Sequence, residues 1–126
     1  MVSWLRGVIP AVITPFDSAG GIDEKALRNE IEYHLGCGAT ALCAGGSTGE
    51  GAGLSRDEVE QLNGIFVDQV RGRVPVIAGI IPDTTAEAIE LGLAAKEGLQ
   101  PTQRRATSFS VCWSITSTVL LRLLGT

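Results

Sequence analysis

Near-continuous apolar runs alternate with amphipathic stretches along the first 98 positions. The runs are residues 8–14 (VIPAVIT), 40–44 (TALCA) and 74–79 (VPVIAG). A parallel strand covered on both faces reads this way, whereas a strand with one wet face alternates polar and apolar. Pro10 and Pro75 sit near the starts of their runs, where a missing N–H harms a ladder least.

Between the runs the apolar period changes to that of a helix. The first helix is expected to be capped by Asp23, with Ile22 and Leu27 placed as a hydrophobic staple. Leu27, Ile31 and Leu35 form its stripe, and Gly36 stops it. The second opens with the capping box Ser55-Arg56-Asp57-Glu58, flanked by Leu54 and Val59. Val59, Leu62, Phe66 and Val70 follow at helical spacing up to Gly72. The third opens with another such box, Thr84-Thr85-Ala86-Glu87, and presents Ile89 and Leu93 before Gly98. Three strands alternating with three helices predict a parallel α/β protein. The repeat of about 30 to 35 residues is the strand–helix rhythm itself and not a solenoid period.

After Gly98 the rhythm stops. A fourth buried strand is due, but LQPTQRR follows, then a Ser/Thr-rich stretch and the apolar residues 119–124. Charge breaks at the same place. All 14 acidic residues lie between Asp17 and Glu97, so residues 1–98 carry net −7 and residues 99–126 carry +3. The expected division is therefore a domain over 1–98 and a foreign tail over 99–126. A natural low-complexity tail is one reading of the latter; a shifted reading frame or aberrant terminus is the reading we prefer.

The overall charge of −4 and 5% aromatic content offer neither a basic footprint nor stacking platforms, so no nucleic-acid partner is expected. No stretch has the roughly 20 apolar residues of a membrane span. Cys37, Cys43 and Cys112 are odd in number and form no C-x-x-C pair, so neither a disulfide framework nor a metal centre is expected. The opening residues MVSWLR are too short and too weakly basic for a secretory leader, which together with the cysteines favours a reducing, cytoplasmic setting.

Ligands of parallel α/β folds sit at the carboxyl ends of the strands. Three loops qualify: residues 14–17, 45–50 and 79–83. In the second, GGSTGE, glycines admit close backbone approach, and adjacent hydroxyls with exposed N–H groups suit a small carboxylate. Glu50 is expected to brace the loop and not to touch an anion. An ordinary glycine-rich turn is the competing reading from this loop alone. Other motifs fit less well. Gly45-Gly46-Ser47-Thr48-Gly49 matches a G-x-S-x-G nucleophile elbow, but the only histidine, His34, precedes Ser47 where the motif needs one after it. A phosphate loop lacks its lysine, and the dinucleotide spacing is absent. His34 and Tyr33 are read as helix residues with structural roles. Lys25 and Lys96, the only lysines, fall on helices, whereas an imine-forming lysine needs a partly desolvated site.

Taken together, several segments resemble the dihydrodipicolinate synthase/N-acetylneuraminate lyase family. They are Thr14-Pro15-Phe16, Gly46-Ser47-Thr48-Gly49-Glu50, Leu54-Ser55-Arg56-Asp57-Glu58, and Pro75-Val76-Ile77-Ala78-Gly79 followed by Thr85-Ala86-Glu87-Ala88. The resemblance spans about residues 5–98. It implies the first three βα units of a (β/α)8 barrel and a lyase that joins or cleaves a 2-oxo acid such as pyruvate and an aldehyde through a lysine imine. It also implies no cofactor and, as is usual in the family, a homotetramer. Gly46, Ser47 and Thr48 would hold the carboxylate, and Ser47 occupies the position of a relay hydroxyl. The family's imine lysine and catalytic tyrosine belong to later strands, so this chain alone is expected to be inactive and poorly soluble. Gly79-Ile80-Ile81-Pro82-Asp83-Thr84-Thr85 lacks the Gly and Asn common in synthases, and Gly51, Arg56 and Val59 depart from lysine-inhibited members. The N-acetylneuraminate lyase or sugar-acid aldolase branch therefore stays open, as does a non-catalytic chain that docks onto full-length homologues.

Overall fold

The expected alternation is present in residues 6–99, the part of the chain that the computed structural model describes. Helix α1 spans Glu24–Gly36, strand β1 Leu42–Ala44, helix α2 Arg56–Val70, strand β2 Val76–Ala78 and helix α3 Thr85–Gly98. β1 and β2 pair in parallel with Leu42 opposite Val76, Cys43 opposite Ile77 and Ala44 opposite Ala78. The tail from residue 100 onward, with its two readings, lies outside the described residues.

Residues 8–14 run alongside β1 but do not form the full strand expected. One parallel bridge joins Ala11 to Cys43, through Cys43 N–H to Pro10 O (3.0 Å) and Val12 N–H to Cys43 O (3.0 Å). Both limits have a physical cause. Extending the ladder backwards would need an N–H on Pro10, which has none. The Thr40 N–H turns instead to Val8 O at 3.0 Å. Extending it forwards would need residue 45 to stay extended, but Gly45 has φ +64° and leaves the sheet.

Pleating divides the three parallel segments into two faces. Val12, Leu42, Ala44, Val76 and Ala78 are buried in one apolar core with the helices, while Ala11, Cys43 and Ile77 form a row on the opposite face. α2 fills the centre of the core with Val59, Leu62, Ile65, Phe66 and Val70. Phe66 is completely inaccessible, and burying a side chain of that size contributes about 1.5–3 kcal/mol.

The helix termini follow the sequence closely. Asp23 accepts from Ala26 N–H at 2.9 Å, and Ser55 and Glu58 form both bonds of the capping box. In the third helix Thr84 accepts from Glu87 N–H as expected, but the Glu87 carboxylate reaches back to Asp83 N–H at 2.8 Å, one residue earlier than a capping box requires. α1 includes Gly36, and the glycine in the left-handed conformation that ends it is Gly38 (φ +85°).

Ile89 and Leu93, the apolar residues that mark α3 in the sequence, are 53% and 49% exposed. The inner face is instead Leu91, Ala94, Ala95 and Leu99, with Gly92 and Gly98. A Cβ on Gly98 would lie 2.3 Å from Glu60 O, so the backbones of α2 and α3 approach at a distance only glycine permits. Small residues won this face because they allow the two helices to close up, at the expense of the larger side chains.

Across α1 and α2 runs a surface network. Arg28 bonds Glu24 and Asp68, each at 2.7 Å, and Glu32 receives Arg73 and Gln69. Hydrogen bonding from Arg73, then from Gln69, lowers the Glu32 carboxyl to about 2 from its ordinary 4.5. A depressed carboxylate pKa adds stability that is present above the unfolded value and is lost as pH falls through the folded one. We expect acid unfolding curves of the chain and of Glu32→Gln to differ in slope between pH 4.5 and 2 and to run parallel above it, as followed by circular dichroism.

Candidate functional site

The three loops at the carboxyl ends of the parallel segments converge on residues 45–51. The loop is tightly tied. Gly46 O accepts from both Gly49 N–H and Gly51 N–H at 3.0 Å, and Ser47 O accepts from Glu50 N–H at 3.2 Å. The chain passes through Glu50 with φ 57° and ψ 30°, a left-handed conformation uncommon for a residue with a side chain, and enters a 3-10 turn over Gly51–Gly53. Its neighbours hold it from both sides. From the first loop, Thr14 Oγ1 donates to Gly49 O at 2.7 Å, and Thr14 is 4% exposed. From the third, Gly79 N–H donates to Ala44 O at 2.6 Å.

Three glycines of this region meet backbone where a methyl would stand. A Cβ on Gly51 would be 1.9 Å from Gly45 O, one on Gly79 2.7 Å from Gly46 N, and one on Gly49 2.8 Å from Val12 O. Real side chains never stand so close. The loop is thus a block of packed main chain.

On top of this block lie the predicted residues. Ser47 and Thr48 are exposed, and Gly46 beneath them is half-buried. The N–H groups of Ser47 and Thr48 make no hydrogen bond to any described residue, while those of Gly49, Glu50 and Gly51 are all engaged. Two adjacent free amides beside two hydroxyls are donors of the kind that suit a small carboxylate. Loops 14–17, 45–50 and 79–83 contain no lysine or arginine, so an anion at this loop would meet oriented dipoles and no positive side chain.

The remaining candidates are placed elsewhere. The Glu50 carboxylate is exposed and makes no bond among the described residues, so the bracing expected of it is supplied by its backbone. Asp17 accepts from Ala19 and Gly21 N–H and serves its own turn. Lys25 and Lys96 are exposed on α1 and α3. Tyr33 and His34 meet edge to face, ring centres 5.5 Å apart, in the last turn of α1 and away from the loops. Among the described residues no three His, Cys, Asp or Glu group as metal ligands, and no helix is long and apolar enough to cross a membrane. Sequence reasoning assigned no role to Thr14. The signal available was a hydroxyl in an otherwise apolar run just before a proline.

Residues 4–100 match the model of the dihydrodipicolinate synthetase family. The 4-hydroxy-tetrahydrodipicolinate synthase of Saccharophagus degradans is 47% identical over 94 residues, which are 75% of this chain and 32% of that protein. Dihydrodipicolinate synthase from Aquifex aeolicus superposes with a TM-score of 0.72 at 35% identity, covering 86% of this chain and 34% of that one. Chloride-inhibited dihydrodipicolinate synthase from Acinetobacter baumannii, solved with pyruvate, superposes with a TM-score of 0.68 at 39% identity, covering 74% and 32%. The chain thus spans about a third of the length of the curated relatives it matches. The architecture is that of the first three βα units of their (β/α)8 barrel, with the row Ala11, Cys43 and Ile77 on the face turned away from the helices.

The packed main chain gives a direct expectation. Gly51→Ala and Gly79→Ala should each lower unfolding stability by about 1–3 kcal/mol or more, the cost of overpacking. Gly53→Ala, where no atom lies within 4 Å of the added methyl, should stay within about 0.5 kcal/mol of the parent in urea titrations.

Proposed function

The chain belongs to the dihydrodipicolinate synthetase family, and from that membership we propose that it holds the 2-oxo acid of a 4-hydroxy-tetrahydrodipicolinate synthase-like lyase. Such an enzyme joins or cleaves pyruvate, or a close relative, and an aldehyde through a lysine imine. The observation that carries this reading is the pair of free amides at Ser47 and Thr48, raised on a loop that the rest of the fold immobilises.

In this reading the carboxylate accepts from the Ser47 and Thr48 N–H groups and from the Thr48 hydroxyl, with Gly46 small enough to let the anion close in. Fixing the carboxylate fixes the direction of the adjacent ketone carbon, the atom an amine must reach. The Ser47 hydroxyl is the proton-carrying group beside it. The pyruvate of the Acinetobacter relative supports the choice of ligand, and the synthase names of the relatives favour that branch over the sialic-acid lyases.

Residues 6–99 bind and orient but supply no amine suited to imine formation. Both lysines are exposed on helices, whereas an imine-forming lysine needs a partly desolvated site. We place the family domain over residues 1–98, with Leu99 closing its last helix, and treat the sequence that follows as a separate segment. A second reading, docking onto a full-length homologue, draws on the exposed apolar residues Val8, Ile13, Ile89 and Leu93.

Titrating pyruvate into the 15N-labelled chain should shift the amide signals of Gly46, Ser47 and Thr48 and leave those of α1 unchanged. Borohydride added to the same mixture should trap no adduct. Shifts confined to other residues, or a reduced pyruvate adduct on Lys25 or Lys96, would show that the assignment of this site is wrong.

A further inference from the structure

We propose that Thr14 is a positioning residue for the carboxylate cradle: its buried hydroxyl holds the Gly49 carbonyl and thereby fixes the direction in which the Ser47 and Thr48 N–H groups point. The proposal rests on the reading of residues 46–48 as an anion site and adds the element that keeps that site formed.

Thr14 stands 35 residues from Gly49 in sequence and belongs to a different loop. Its side chain is 4% exposed in a segment whose other buried member, Val12, is apolar. A valine would match the shape of threonine at this position, so packing alone does not call for the hydroxyl. The hydroxyl has one partner, Gly49 O at 2.7 Å. No backbone N–H bonds that carbonyl, so without Thr14 Oγ1 it would be a buried acceptor with nothing to accept.

The position of the bond gives it leverage. Gly49 N–H is tied to Gly46 O, and Gly49 C=O is tied to Thr14, so the peptides on both sides of Gly49 are clamped. The two free amides lie on the arc between Gly46 and Gly49, whose ends are therefore fixed. A Cβ on Gly49 would stand 3.2 Å from Thr14 Oγ1 and 2.8 Å from Val12 O, so the loop is pressed against the first segment at this point. Without the bond, the arc retains its internal ties to Gly46 but loses its only side-chain anchor to the first segment among the described residues.

The test uses the full chain with Thr14→Val, which keeps the shape and removes the donor, and Thr14→Ser, which keeps the donor. Amide hydrogen exchange is read at Gly49 and Gly51, whose N–H groups bond Gly46 O, against the amides of α2 as an internal reference. In Thr14→Val the loop protection should fall at least about five-fold, the low end of what an unpaired buried acceptor costs. Protection of α2 should stay unchanged, and Thr14→Ser should restore the loop. Pyruvate-induced shifts at Ser47 and Thr48 should weaken in Thr14→Val and return in Thr14→Ser. Unchanged loop protection in Thr14→Val would overturn the proposal. So would a uniform loss of protection or of the fold itself, which would make Thr14 a core residue only. Absence of pyruvate shifts in the parent chain would count against the anion reading, while the exchange comparison would still decide whether Thr14 holds the loop.

Discussion

Main chain packed directly on main chain is the constraint from which the candidate site follows. Where β1 ends, the chain bends at Gly45, doubles back through Glu50 and returns at Gly51 so close to Gly45 O that a methyl would overlap it. Gly79 presses the same turn from the next unit, and Thr14 ties it to the preceding one. Side chains normally separate neighbouring loops in a protein. Their absence here brings three strand ends within hydrogen-bonding distance of one another. It also leaves the uncommitted N–H groups of Ser47 and Thr48 on exposed residues.

That arrangement suits a ligand whose charge must be met without a counter-charge. An arginine or lysine would bind a carboxylate more strongly, but it would also move with its flexible stem and would alter the pKa of any amine brought nearby. Amides fixed in a rigid turn need no reorganisation when the anion arrives. The fold contributes to rigidity in another way. Pro10 and Gly45 confine the contact between the first segment and β1 to one bridge, so the three loops, and not a long ladder, set the geometry of the upper edge.

Much of this was readable from residue order. The capping residues Asp23, Ser55 and Thr84 announced where each helix begins, because a hydroxyl or carboxylate three residues before a free N–H has few other uses. The loop 45–50 was legible for a similar reason, since its glycines and hydroxyls have little structural purpose apart from close approach and hydrogen bonding. Two features were not legible. The inner face of α3 is hidden from periodicity, which weighs large apolar residues, while Gly98 stands where a Cβ would lie 2.3 Å from Glu60 O. The role of Thr14 depends on a carbonyl 35 residues away, and no local pattern encodes such a partner.

The contact between α2 and α3 has an implication for how this part of the sequence can drift. Where the two backbones meet, at Gly98 and Glu60, there is little side chain to dehydrate, and the attraction there comes from short-range dispersion. Mutational tolerance along the inside of α3 is therefore ranked by volume, with serine at Ala95 a milder change than leucine. The outside, where Ile89 and Leu93 already stand in water, has no such ceiling. The two sides of one helix answer to different rules, one to size and the other to solubility.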